Sequence, residues 1–354
     1  MKFLHAFNLT EGISYEALQK IWNRFKNWQI AWEIAEMHEF LECGLSEKMT
    51  MQIEATRQKL NVDFEYAGLY EQDIVMVTRG SKEYPLLLEI IPSPPFAIYR
   101  KGAPLINMLP HIAIVGTRVP TAYGEKAAGE ISEAISLAGG IVVSGLAFGI
   151  DAMAHFGAVK NSRPTVAVLA SGINKITPTS HLRFAEKILA TGGTIISEYA
   201  ADSDSYKMRY LERNRIISGL CKATIIIEAK EKSGALITAR HALEQGREIY
   251  ALVGDIYRAN SRGCHNLIQG GCAYAITSIE GVLSDLNFDY SRAVQAKLDE
   301  SEMCIVCKLQ EEPLSTEELS DLFLIEVPRM NVMLTRLELK NMIRKNPSFK
   351  WEVV

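Results

Sequence analysis

The stretch LERNRIISGL, residues 211–220, sets Arg213 and Arg215 on either side of Asn214 just before the chain turns apolar. Guanidinium groups in that place either fork onto a phosphate or carboxylate, or sit on a solvated helix turn paired with Glu212. Three other short stretches carry donors suited to an anion. GTR at 116–118 presents Thr117 and Arg118 after Gly116. SGLAFGID at 144–151 supplies Ser144, then Gly145 and Gly149, through which backbone can approach a ligand closely, with Asp151 near the start of the next helix. KSGALITAR at 232–240 opens a helix at Ser233 and Gly234, whose first N–H groups lack an intrahelical partner, and carries Thr238 and Arg240 further along. The combined chemistry is phosphate binding rather than bond making. Singly, each stretch has a plainer reading: the glycines serve turns, Asp151 caps a helix, His155 is a satisfied core histidine, and Arg240 and Arg247 are surface groups. No GxGxxG is followed some twenty residues later by an acidic residue, as a dinucleotide site requires. No His/Asp cluster has metal spacing. Cys304 and Cys307 form a CxxC, but SEMCIVCKL reads as the buried face of a C-terminal helix, with neither a second ligand pair nor a thioredoxin-like context. No metal and no cofactor are expected.

The 354 residues suffice for two or three domains, and 48% hydrophobic with 23% charged residues is an ordinary globular balance. A net charge of −4 argues against coating nucleic acid by bulk electrostatics, so an anion site must come from local placement. Residues 101–290 hold 19 Lys+Arg against 17 Asp+Glu, while the whole chain holds 38 against 42, so the acidic excess lies in the two ends. No stretch approaches the roughly 18 unbroken apolar residues of a membrane span, and the N-terminus has no signal-like apolar core, which points to the cytoplasm.

The elements that must position these groups follow from periodicity. Residues 15–60 carry apolar positions at helical spacing, broken at ECGLS, and predict a small helical domain whose Trp and Phe residues are core. Proline clusters in EYPLLLEIIPSPPFAIYRKGAP (83–104) predict an extended linker. From 111 onward HIAIVG, GIVVS, PTVAVLA, GGTIISE, ATIIIEA and REIYALVG are short, largely β-branched runs, each followed by a helical pattern. Fully apolar runs suit parallel strands covered on both faces, so the centre is a doubly wound α/β sheet. Ligands of such sheets sit at the C-terminal ends of the strands; three of the stretches fall there, and RNRIISG precedes the ATIIIEA strand in a helix that packs beside the same edge. The expectation is that Arg213 and Arg215 face the same mouth as Arg118.

At these residues AIVGTRVPTAYG, VVSGLAFGIDAMAHFGAV, GGTIISEY, RNRIISGLCKATIIIEAKEKSGALITARHALEQGREIYALVGD and SRGCHNLIQGG resemble, in order and spacing, the DNA-processing protein A family (DprA, also called Smf). The likeness covers residues 65–285. It implies a helical, sterile-alpha-motif-like domain at 1–65, a Rossmann-like DNA-binding domain at 66–288, a linker at 289–299 and a winged-helix-like domain at 300–354. It also implies a homodimeric, non-catalytic, single-stranded DNA-binding protein of natural transformation, which protects incoming DNA and loads the RecA recombinase onto it. Carried over residue by residue, the DNA site comprises Gly116, Thr117, Arg118, Ser144, Gly145, Gly149, Asp151, Arg213, Asn214, Arg215, Ser233, Gly234 and Thr238, with Arg240 beside it. Phe148 stands where many members have a basic residue, and offers a stacking face instead. The rival is a nucleotide-binding phosphoribohydrolase-like Rossmann enzyme. Its PGGxGTxxE signature is replaced here by EKSGALITARH, which lacks the double glycine and the glutamate.

Overall fold

The computed structural model describes residues 1–105, 107–291, 299–340 and 342–353. They form two compact units, Met1–Val282 and Leu283–Val354. Six helices open the first: α1 (Lys2–Asn8), α2 (Tyr15–Phe25), α3 (Trp28–Glu33), α4 (Met37–Glu42), α5 (Glu47–Lys59) and α6 (Val62–Glu71). Ser14, Asn27, Ser46 and Asn61 cap α2, α3, α5 and α6 through their side chains, so the polar breaks in the apolar pattern are where the helices restart. The aromatic residues are core, as their spacing predicts: Phe7, Trp32 and Phe40 are buried, with the Phe7 and Trp32 rings edge-on at 4.9 Å. This apolar cluster runs on without a break into Tyr99, Ala167, Leu169 and Ile195 of the sheet.

The sheet has nine strands: β1 (Val75–Thr78), β2 (Ala97–Gly102), β3 (His111–Val115), β4 (Ile141–Ser144), β5 (Thr165–Leu169), β6 (Thr194–Ser197), β7 (Ala223–Ile226), β8 (Glu248–Leu252) and β9 (Tyr274–Ile276), in the order β1-β2-β6-β5-β4-β3-β7-β8-β9. From β6 to β9 every pairing is parallel. The six apolar runs are β3 to β8, and β3, β4, β5, β6 and β7 are buried at every position. Helices cover both faces, which is why these strands read as unbroken β-branched runs rather than alternating ones. Truncating one such side chain, for example Ile114→Ala, costs about 2–5 kcal/mol.

The 83–104 segment departs from the expected linker. It contains a short helix, α7 (Leu86–Glu89), and then β2, which pairs antiparallel with β6 through Tyr99↔Ser197 to Gly102↔Thr194 and carries β1 on its other edge. β2 lies in the proline-free stretch between Pro95 and Pro104, and the edge of β6 supplies hydrogen bonds that local sequence does not display.

Between strands run α8 (Ala122–Leu137), α9 (Ile150–Val159), α10 (Leu182–Ala190), α11 (Lys207–Gly219), α12 (Gly234–Glu244), α13 (Arg262–Gln269) and α14 (Ile279–Asp285). The chain walks outward from β3 through β4 and β5 to β6, then returns along α11 to β7 on the other side of β3. The order reverses there, and a crevice opens above the C-terminal ends of β3 and β7.

The second unit holds α15 (Glu300–Glu311), α16 (Thr316–Phe323), α17 (Val327–Leu339) and the hairpin of β10 (Ile343–Lys345) with β11 (Trp351–Val353), the winged-helix-like arrangement of helices and closing hairpin. Its core is Ile305, Val306, Leu309, Leu319, Leu334 and Trp351 with their neighbours. The cysteine expectation is corrected here. Cys304 and Cys307 lie on α15 as read, but both are exposed, and the buried face belongs to Ile305, Val306 and Leu309. Most of the 289–299 linker, residues 292–298, lies outside the described residues. Among the described residues no helix is long and apolar enough to cross a membrane.

Candidate nucleic-acid interface

The crevice at the strand-order reversal holds a cavity of about 470 Å³. Its walls are the end of β3 (Val115, Gly116) with Arg118, the loop after β4 (Ala147), the first turn of α9 (Asp151), one stripe of α11, and the start of α12 (Ser233, Gly234, Ala235, Thr238). The α11 stripe is Lys207, Tyr210, Leu211, Asn214 and Ile217, at steps of three and four, with Arg213 beside it.

Arg118 is exposed, and its guanidinium stands 5.0 Å from the Tyr210 ring centroid, which holds the cation at the rim. Arg213 is buried. Its Nη1 donates to Gly145 O at 2.8 Å and also to Val168 O, while Nε donates to Asn214 Oδ1 at 3.2 Å. Asp151 is its counter-charge and accepts from Gly145 N–H at 3.2 Å. Burial pushes the Asp151 carboxyl above its usual range, against the pull of Arg213 and the hydrogen bonds it accepts. Burial likewise lowers Arg213, against the attraction of Asp151. A guanidinium starts high enough to stay charged. Asp151 and Arg213 thus brace the loop after β4 and fix one positive charge in the cavity wall.

Two glycines make that loop possible. A Cβ on Gly145 would stand 2.4 Å from Arg213 Nη1, so the buried guanidinium occupies the space of a side chain. Gly149, the N-cap of α9, has φ 74° and ψ −124°, and a Cβ there would stand 2.5 Å from Thr117 O. Thr117 works through its backbone: its N–H donates to Glu228 O at 2.7 Å and its carbonyl accepts from Ile150 N–H at 3.2 Å. Ser144 is fully buried, donating to Ile114 O at 2.6 Å. Thr117, Ser144, Gly145 and Gly149 therefore shape the loops without lining the cavity.

At α12, Ser233 is the N-cap, and its Oγ accepts from Ala235 N–H at 3.3 Å. Leu236 N–H goes to Ser233 O, so part of the first turn is satisfied internally rather than free as the sequence suggests. Asn214 Nδ2 donates to Gly234 O at 3.4 Å and ties α11 to this turn. Apart from its chain neighbours and the backbone of its own helix turn, nothing lies within 4 Å of where a Cβ on Gly234 would stand. That glycine is not required by packing, and it lines the cavity.

Three expected site residues are placed elsewhere. Arg215 does not face the mouth with Arg213. At 3.6 residues per turn, positions two apart are about 200° apart around the helix. Arg215 is buried on the far side, where Nη2 donates to both oxygens of Glu198 at 2.6 Å and Nη1 to Ser93 O at 2.6 Å, with the guanidinium 4.9 Å from the Tyr15 ring centroid. Burial opposes that charge, but Glu198 overcomes it and holds the pKa above its usual value. Arg240 is a surface residue 3.7 Å from Glu244, one turn along α12, and does not line the cavity. Phe148 is half exposed, its ring edge-on to His181 at 5.0 Å, beside the cavity rather than in its wall. The alternative reading, a solvated helix turn paired with Glu212, does not describe Arg213 and Arg215: both are buried, and Glu212 accepts from the Tyr199 hydroxyl at 2.8 Å. His155 is core but only half satisfied: Nδ1 lies 2.9 Å from Thr165 Oγ1, and Nε2 has no partner. Sequence reasoning missed Lys207 and Tyr210, although both stand on the helical stripe that ends in Asn214 and Ile217.

The walls thus combine two cations at the rim, a fixed guanidinium inside, and open backbone at a helix start, which is the donor set of a phosphate-binding groove. A family model described as DNA recombination-mediator protein A matches residues 75–287. The DNA processing protein DprA of Bacillus subtilis is 40% identical over 221 residues, covering 62% of this chain and 74% of that protein. The protein Smf of Synechocystis is 35% identical over 286 residues, covering 79% and 71%. The X-ray structure of DprA from Streptococcus pneumoniae superposes with a TM-score of 0.67 at 28% identity, covering 82% of this chain and 98% of that one. A structure of DprA from Helicobacter pylori, described for its single-stranded DNA binding mode, gives 0.55 at 25% identity, covering 61% and 97%. The chain belongs to the DNA recombination-mediator protein A family, DprA/Smf.

Proposed function

We propose that this chain binds single-stranded DNA in the cavity above β3 and β7 and, as a homodimer in natural transformation, protects the strand and loads a RecA recombinase onto it. The observation that carries the DNA reading is the meeting of Arg118, Lys207 and Arg213 around the unoccupied space over Gly234. Phosphate oxygens fit guanidinium forks and open backbone, and a groove walled by loops admits a flexible strand more readily than a rigid duplex. Family membership supports the recombination step, and the Helicobacter pylori neighbour supports single strands as the ligand. Binding without turnover is favoured by Asp151, the one carboxylate lining the cavity among the described residues, which is committed to Arg213 and the Gly145 N–H. In the same reading residues 1–65 and 300–354 are accessory domains to the DNA-binding centre at 66–288.

The test is fluorescence anisotropy with single-stranded and duplex oligonucleotides at several salt concentrations, beside a hydrolysis assay on nucleoside monophosphates. Single strands should win, with little base preference and an affinity that falls as salt rises, because phosphate contacts release counterions. Equal competition by duplex, or release of free base from nucleotides, would overturn the proposal. RecA loading is read separately, as faster RecA filament formation on strands precoated with a single-strand binding protein.

A further inference from the structure

The same edge of the sheet carries a second cavity, of about 370 Å³, within the range of small-molecule clefts. It lies above the ends of β7 and β8, walled by Thr121, Tyr123, Glu228, Gly254, Asp255 and Arg258. The strap after β3 borders both cavities: Arg118 faces the first, and Thr121 to Tyr123 face the second.

Glu228 holds that strap in place. Its carboxylate accepts from Thr121 N–H at 2.9 Å and from Thr121 Oγ1 at 2.6 Å. Asn260 Nδ2 bridges the strap and the carboxylate, donating to Val119 O at 3.1 Å and to Glu228 at 3.3 Å. Glu228 is buried and committed to the protein, so it is wall rather than reagent. The flank is of another character. Of the wall residues Tyr123 is half exposed, and three exposed groups outside the wall adjoin it along the chain: Ile256 (69%) and Tyr257 (86%) between Asp255 and Arg258, and Val119 (75%) two residues before Thr121. The Tyr123 hydroxyl donates to Val253 O at 2.8 Å, which sets its ring at the cavity wall, and the Asp255 carboxylate accepts Tyr257 N–H at 2.9 Å, which shapes the loop that presents Tyr257. Exposed aromatic and aliphatic groups beside a cleft mark a binding surface. Glu228 and Asp255 repel a phosphate there, and Arg258 is occupied by Asp255 at 3.6 Å. The surface fits a neutral planar group with an apolar face.

We propose that this second cavity takes a nucleobase of the strand whose phosphates occupy the first, stacked against Tyr257 and Tyr123. This rests on the single-strand reading above. The strap then separates a phosphate subsite from a base subsite, and the bound strand runs across it from the end of β3 towards the end of β8. Base stacking on an aromatic residue is tolerant of sequence, so the subsite adds affinity and length dependence without specificity.

The experiment compares strands of roughly 4 and roughly 16 nucleotides, the span of known single-strand site sizes, on the parent chain, Tyr257→Ala, Tyr257→Phe and Arg118→Ala. Because Tyr257 is exposed, neither of its substitutions disturbs packing. Tyr257→Ala should weaken the longer strand about 5- to 150-fold while sparing the shorter one, and Tyr257→Phe should bind like the parent. A strand carrying a photoreactive thymine analogue should crosslink to Tyr257 or Tyr123. If Tyr257→Ala binds both lengths like the parent while Arg118→Ala loses both, the base subsite is wrong and the phosphate site stands. If Arg118→Ala also binds like the parent, the single-strand reading fails with it. A free deoxynucleoside monophosphate whose binding depends on Tyr257 while every oligonucleotide ignores that residue overturns the placement of the strand.

Discussion

Arg215 offers the sharpest separation of fold from function, because sequence and resemblance place it in the DNA site and the structure places it in the core. It joins three parts of the first unit: the Glu198 carboxylate after β6, Ser93 O before β2, and the Tyr15 ring of α2. Arg215→Ala leaves the Glu198 side chain, 11% exposed, without its cation, and leaves Ser93 O without its donor. Removing one partner of a buried pair costs about 3–5 kcal/mol. For a unit of this size each kcal/mol moves the midpoint about 2–4 °C, so the Tm should fall by about 6–20 °C. A double replacement, Glu198→Met with Arg215→Met, removes the unpaired charge and should recover most of that loss, since apolar residues often replace a buried ion pair without penalty. The assays are thermal unfolding by circular dichroism and anisotropy with a single-stranded oligonucleotide at a temperature where each variant is folded. Affinity per folded molecule should match the parent. An Arg215→Ala protein that melts with the parent yet has lost the strand would refute the assignment of this residue to the core.

Arg118→Ala should do the reverse, keeping the Tm and weakening single-strand binding by about 1.5–3 kcal/mol, with the slope of log affinity on log salt reduced by about 0.7 for one lost phosphate contact. Gly234→Ala puts a methyl into open space at a helix start, so stability should hold or rise by up to about 1 kcal/mol while binding falls; undiminished affinity would move the phosphate away from α12. Deleting residues 296–354 should leave affinity nearly intact, because Lys340, Arg344 and Lys350 are paired with Glu302, Glu352 and Glu318 at 2.6, 2.9 and 3.0 Å, and Lys345 lies over the Trp351 ring. A large loss in a folded deletion variant would place that unit in the DNA site. Acid should destabilise the fold through two histidines kept neutral by burial, His155 with its pKa lowered to about 3 and His5 to about 4. Both lie below the unfolded value near 6.5, so the unfolded chain binds more protons. Their stability is fully present above about pH 6.5 and is lost as pH falls towards those two values, with a slope of up to about 1.4 kcal/mol per unit from each. Urea midpoints at several pH values check this, and His155→Phe should flatten the dependence by one proton.

The α/β centre was legible because its physics is local: β-branched runs buried on both faces have no need of alternation, and Thr121 and Ser233 mark helix starts by capping them. Three of the four candidate stretches were legible for the same reason, since each follows an apolar run and so falls at a strand end, while the fourth, 211–220, lies in α11 ahead of β7. Sequence by itself determined the strands, the loop that carries Arg118, the helix starts that carry Asp151 and Gly234, and the local charge near balance in an acidic chain. Tertiary structure decided which groups meet. Only the packing of α11 decides that Arg213 braces the loop after β4 while Arg215, about 200° around the same helix, is neutralised by Glu198, a partner 17 residues away in the chain. The same packing adds Lys207 and Tyr210 to the site, while Phe148 lies beside the cavity and Arg240 on the surface. Pairing to the free edge of β6 turns a proline-marked segment into β2, and the rotation of α15 turns Cys304 and Cys307 outward. Periodicity ranks the faces of a helix by apolarity, but which face meets which neighbour depends on groups far off in the chain, and there the local signal ends.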